Sequence, residues 1–126
     1  MLVIKTQKEF NSFIKNGVAS FDCDVDIKCS IATLTDIKVN GDINAWDIKA
    51  MNIKAMNINA MDIKAWDVNA RDIKAIDIKA WNIDAWDISF YAVAFACESF
   101  QCKSISGHRE NSKYFCLDSE VVIKGA

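Results

Sequence analysis

"AWDIKAMNIKAMNINAMDIKAWDVNA", residues 45–70, is one short phrase said five times over. Ile or Val returns at every fifth residue, Ala follows two places later, and Asp or Asn stands just before each Ile or Val. A helix does not explain this pattern. Five helical residues turn about 500°, or about 140° net, so the Ile side chains would scatter around the axis. One flat strand fails too, because an odd period sends successive Ile to opposite faces. A chain that turns a corner every five residues resolves the conflict. Each side then points Ile and Ala inward and Lys or Asn outward. The Asp or Asn sits near the corner, where its side chain can bond backbone N–H groups.

The register runs well beyond the quoted stretch. Ile or Val holds the same phase from Ile43 to Val93, and Ala from Ala45 to Ala85. The residue after each Ala sets the expected number of sides. Trp46, Trp66 and Trp86 lie twenty apart, which is four sides of five. Coils stacked about 4.8 Å apart would align these three in one exposed column. Trp81 would stand on a neighbouring column above Met61, and Asp47, Asp67 and Asp87 would form an acidic column.

This phrase resembles the pentapeptide repeat proteins. The resemblance implies an all-β fold, a right-handed quadrilateral β-helix, here of about four coils. The regular part covers residues 41–105. One departure stands out: the family places a small residue two before the large inward one, whereas here Ala comes two after Ile.

The ends read as caps on a single domain, 1–126. Residues 1–20 form the first cap, with a strand in "MLVIK" and a short amphipathic helix. "TQKE" fits a capping box, with Thr6 and Glu9 bonding each other's backbone N–H groups. Phe10, Phe13 and Ile14 give the helix an apolar face, and Gly17 is its expected stop. From Phe21, alternating apolar residues through Cys23, Val25, Ile27, Cys29 and Ile31 predict a half-buried strand that opens the coils, 21–105. Late in the chain Phe90, Phe95, Phe100 and Ile105 replace Ala. They are expected to fill a closing coil that a middle coil could not accommodate. Residues 106–126 read as the second cap, through Tyr114, Phe115, Leu117 and the terminal strand "EVVIK".

Composition narrows the function classes. The net charge of -2 provides no basic field for nucleic acid. No apolar run is long enough for a membrane span, and the start lacks the pattern of a signal peptide. Five Cys without a CxxC pair predict reduced thiols in a cytoplasmic protein. "DCDVD", residues 22–26, has the acidic spacing of a calcium loop. It lacks the Gly and the bidentate Glu such a loop needs, so no metal is expected. Cys97 and Cys102 are spaced too widely for a metal pair. His108 has no partner at catalytic spacing, and no phosphate-loop, nucleophile-elbow or zinc-protease motif occurs. The expectation is a non-enzyme without a cofactor.

Binding is therefore the expected role. Trp46, Trp66, Trp86, Trp81, Arg71 and Tyr91 are the candidate surface, because exposed apolar patches mark interfaces. Some pentapeptide repeat proteins mimic duplex DNA and bind enzymes such as gyrase. Residues 41–90 hold eight Asp against six Lys or Arg, which is too balanced to favour mimicry. "DIKAWNIDAWDI", residues 77–88, is similar to variants in small bacterial and bacteriophage proteins. That similarity implies an inhibitor of a host DNA-handling or antiviral-defence enzyme, with a protein as partner. The alternatives are a self-associating scaffold, such as a homodimer joined through the Trp column, and a small-ligand-binding protein.

Overall fold

The computed structural model describes residues 2–124. Met1 of the expected N-terminal cap and residues 125 and 126 of the C-terminal cap lie outside the described residues. The described residues form an all-β solenoid of about six turns, with one short helix near the N-terminal end. Its elements begin with β1 (Leu2–Ile4), α1 (Gln7–Asn11), β2 (Ile14–Lys15), β3 (Val18–Phe21), β4 (Val25–Ile27), β5 (Ile31–Ala32) and β6 (Asp36–Val39). The regular phrase then gives β7 (Asp42–Asn44), β8 (Asp47–Lys49), β9 (Asn52–Lys54) and β10 (Asn57–Asn59). The run β11 (Asp62–Cys102) bends through many corners and is followed by β12 (Ser104–Gly107), β13 (Lys113–Cys116) and β14 (Val121–Ile123).

The pairing register corrects the expected number of sides. Ile58 pairs in parallel with Ile43 on one side and Ile73 on the other, Ile63 with Ile48, and Val68 with Ile53. Each step is fifteen residues, so a coil has three sides of five and the cross-section is triangular. The quadrilateral of four coils does not form. Buried Ile meets Ile at either step, so the apolar phase does not choose between them. At fifteen, two of the three columns before Ile alternate carboxylate and amide, Asp42–Asn57–Asp72 and Asn52–Asp67–Asn82. The third stacks Asp47, Asp62 and Asp77, and beside it the exposed Lys49 and Lys64 are paired.

Ile43, Ile48, Ile53, Ile58, Ile63, Val68, Ile73, Ile78, Ile83 and Ile88 are buried, each no more than 2% exposed. Burying each contributes about 1.5–3 kcal/mol relative to an exposed side chain. Ala at the next inward position leaves room for the adjoining side of a narrow triangle. Polar ladders reinforce the stack outside: Asn57 donates to Asp42 at 3.0 Å, Asn82 to Asp67 at 2.7 Å and Ser104 to Asp87 at 2.6 Å.

The ends depart further from expectation. Thr6 does accept from the Glu9 N–H at 3.1 Å, but the Glu9 carboxylate reaches back to the Lys5 N–H, not to Thr6. α1 stops at Asn11, well before Gly17. Asn16 and Gly17, with φ 53° and 78°, instead turn an antiparallel hairpin between β2 and β3. An Asn-Gly pair suits a turn that needs two positive φ angles. The expected single strand from Phe21 is broken into β3, β4 and β5 by corners. Cys23 therefore lies exposed while Phe21, Val25, Ile27 and Ile31 stay buried.

Phe90 and Phe100 fill the core as expected, each 1% exposed. Phe95 does not. Near Val93 the in–out pattern slips by one residue, so that Ala94 and Ala96 are buried and Phe95 packs outside against Phe115, 4.9 Å between rings. A one-residue slip reverses every side chain of a strand. Residues 104–123 hold β12, β13 and β14, which add one more looser turn onto β11. No helix among the described residues is long and apolar enough to cross a membrane, and all five cysteines are free.

Candidate functional site

Three-sided stacking redistributes the expected Trp column. Trp46, Trp66 and Trp86 stand on three different corners, each with its own neighbours at fifteen-residue steps. Trp66 lies flat on Trp81, 5.3 Å between centroids and 14° between planes. Trp81 is therefore not above Met61. Trp86 stands between two cations, with the Arg71 guanidinium 4.9 Å and the Lys103 ammonium 4.0 Å from its ring centre. Both arrangements use ring faces to join adjacent coils, and Trp66, Trp81 and Trp86 remain 51%, 46% and 46% exposed.

The third corner differs. Backbone bonds from Met61 N–H to the Trp46 carbonyl and from Ile76 N–H to the Met61 carbonyl set these residues one above another. Tyr91 continues the row. Exposures of 55% for Trp46, 51% for Met61, 38% for Ile76 and 51% for Tyr91 make a continuous apolar ridge. At about 4.8 Å per coil, four residues span about 14 Å. A groove of about 540 Å³ runs beside the ridge. Ala45, Ala60, Ala75 and Phe90 floor it, and Asn59, Lys74, Ser89 and His108 form the opposite polar wall.

The loop after β12 shapes one end of this groove. His108 N–H donates to the Phe90 carbonyl at 2.9 Å, and its Nε2 meets the Ser89 hydroxyl at 2.5 Å. Gly107 lets the loop come this close, because a Cβ there would collide with Ser112 and with the Phe90 ring. Among the described residues no carboxylate bonds the other ring nitrogen of His108, so the pair lacks the orienting group of a catalytic triad.

The acidic column is also rearranged. Asp47, Asp67 and Asp87 lie on three different sides. Asp67 receives the Asn82 amide, and Asp87 and Asp47 each accept a serine hydroxyl, from Ser104 and Ser30. The true column is Asp47, Asp62 and Asp77. Partial burial, then the Asp47 and Asp77 carboxylates, push the Asp62 carboxyl above its ordinary range, and Lys64 and Lys79 partly offset this. The row Lys49, Lys64 and Lys79 runs alongside on the same side of the coil, so this face is mixed in charge. Among the described residues no group of three or more His, Cys, Asp or Glu could hold a metal ion.

Of the six candidate surface residues, the geometry thus joins Trp46 with Tyr91, Trp66 with Trp81, and Arg71 with Trp86. Met61, Ile76, Lys74 and His108 are the site residues that sequence reasoning missed. Reading the sequence at a fifteen-residue step places Met61 and Ile76 between Trp46 and Tyr91. Nothing in the sequence brings His108 back to Ser89. The chain matches no protein-family model, no curated protein and no solved structure.

Proposed function

We propose that this chain is a non-catalytic protein-interaction module of the cytoplasm. Its binding element is the ridge of Trp46, Met61, Ile76 and Tyr91 with the groove beside it. The observation that carries this reading is the exposure of four large apolar side chains in one unbroken row. Such a row on a rigid solenoid suits a partner that buries apolar anchors against the ridge and offers polar groups to Lys74 and His108. The resemblance to small bacterial and bacteriophage proteins points to a host DNA-handling or antiviral-defence enzyme as the target. Recognition by imitation of DNA is disfavoured by the mixed charge of the Asp47–Lys49 side.

Affinity capture from a bacterial lysate tests the reading. The wild type should retain one protein that the variant Met61→Lys with Tyr91→Lys loses. Trp81→Lys, on another corner, should keep it. Capture that ignores the ridge, or no capture at all, would sink the proposal.

A further inference from the structure

The shape of the groove beside the ridge narrows the choice of what can lie in it. Its wall and its ridge come from the residues on either side of each floor Ala, as in Asn59, Ala60 and Met61. Alternate residues of an extended chain lie about 6.6 Å apart, so the trough matches one extended chain and is too narrow for a helix about 10 Å across. The small side chains of Ala45, Ala60 and Ala75 keep it open along three coils.

One end of the trough is closed. The His108 N–H bond to the Phe90 carbonyl, 2.9 Å, holds the His108 backbone over the floor row. The ring then reaches to the wall, where Nε2 meets the Ser89 hydroxyl at 2.5 Å. The His108 side chain therefore lies across the trough and stops it. Arg109 N–H donates to the Tyr91 carbonyl at 3.0 Å, so Arg109 continues the ridge row at this same end.

Charge is graded along the wall. The register sets Asp26, Asn44, Asn59 and Lys74 in one row, and Ser89 and His108 complete it at the closed end. The row thus runs from a carboxylate at the far end, through two neutral amides, to an ammonium and a hydroxyl. Asp72 and Asp87 come two residues before Lys74 and Ser89, on the side of the wall away from the floor, and Asp87 accepts the Ser104 hydroxyl at 2.6 Å. When His108 donates its Nε2 proton to Ser89, the Ser89 O–H is left free to donate into the trough.

We infer that the groove takes the C-terminal end of a partner chain in extended form. The terminal carboxylate sits at Lys74, Ser89 and His108, and an apolar side chain lies on the Ala floor against Met61 and Ile76. This names the segment by which the partner of the proposed interaction module is held, and it rests on that reading. A trough stopped at one end admits a chain end and turns away a segment that must run on. The donors gathered at the stop are the groups that hold a terminal carboxylate. The distance of about 14 Å from Ala45 to Phe90 holds about four extended residues. A basic residue at the outer end of that segment faces Asp26.

Two tetrapeptides of lysine, alanine, leucine and valine, in that order and labelled at the N-terminus, are the test. One carries a free C-terminal carboxylate and the other is amidated. Fluorescence anisotropy reads their binding to the unmodified chain. The acid should bind roughly tenfold or more tightly than the amide, because its charge-assisted hydrogen bonds are lost in the amide. Lys74→Met should remove that preference, and Met61→Lys should weaken both peptides. Equal binding of acid and amide, no binding of either, or a preference that survives Lys74→Met would overturn the inference. An amidated peptide ending in glutamate that binds as well as the acid would assign the site to an acidic side chain and overturn it too. Unlabelled acid peptide should also displace the protein captured from lysate. A captured protein that depends on the ridge but resists the peptide would leave the interaction module standing and sink only the chain-end reading.

Discussion

Asp62 shows how one side chain can weigh against the fold that holds it. Its carboxyl is pushed up by burial and by two stacked carboxylates, so the charged form is disfavoured in the folded chain. A raised folded value means a cost that is present at neutral pH and relieved as pH falls through that value toward the ordinary 3.8. Asp62→Asn should therefore raise the melting temperature at pH 7, with the gap closing through the acid range. The Asn82–Asp67 bond at 2.7 Å shows the ladder an amide can form in this setting. Thermal melts of both proteins from pH 7 downward check the sign. A second residue-scale outcome concerns the column of Ala45, Ala60, Ala75 and Phe90. Phe is accommodated at position 90, where the next turn is looser. Ala75→Phe should destabilise the chain by about 1–3 kcal/mol, read by urea unfolding, because regular coils lie on both sides. Inward Ile and Ala were legible because burial repeats strictly with the phrase. Phe95 was not, because its orientation depends on a one-residue slip that leaves no mark in composition.

Among elements, the number of sides is the point where sequence reasoning went astray. Three Trp at twenty-residue intervals carried the reading. Yet exposed rings at corners can sit on other side chains, as Trp86 does between Arg71 and Lys103, whereas at fifteen the columns before Ile bond amide to carboxylate on two of the three sides. A paired-cysteine experiment reads the register directly. Lys49 and Lys64 are Cα partners on adjacent coils, within the distance a disulfide spans. Lys49→Cys with Lys64→Cys should form a 49–64 bond on mild oxidation, detected by mass of the linked peptide. Lys49→Cys with Asn69→Cys, the twenty-residue pair, should not. The β2–β3 hairpin carries another expectation. Gly17 sits at φ 78° with open space where a Cβ would go, so Gly17→Ala should cost only the left-handed backbone strain, about 1–2 kcal/mol. The Asn-Gly signal for this hairpin was present in the sequence. A helix stop explained the same glycine, and only the pairing of Ile14 with Ala19 separates the two readings.

For the whole molecule, the solenoid was legible and the contacts outside its repeat were not. Periodicity reports what repeats, while such contacts are each made once, between residues far apart in sequence. The bond of Gln7 to Ala32 and the return of His108 to Ser89 are of this kind. The packing of buried Phe10 on Phe21, 5.9 Å between centroids, also gives the molecule a direction in time. Phe10 and Phe21 precede every coil they help to close, and each later coil needs only the one before it as its template. A chain emerging from the ribosome can thus wind onward from this first turn, one turn after another, without waiting for distant sequence. Growth of this kind has a foundation and a working edge, and at every moment the newest turn is the one still looking for a neighbour.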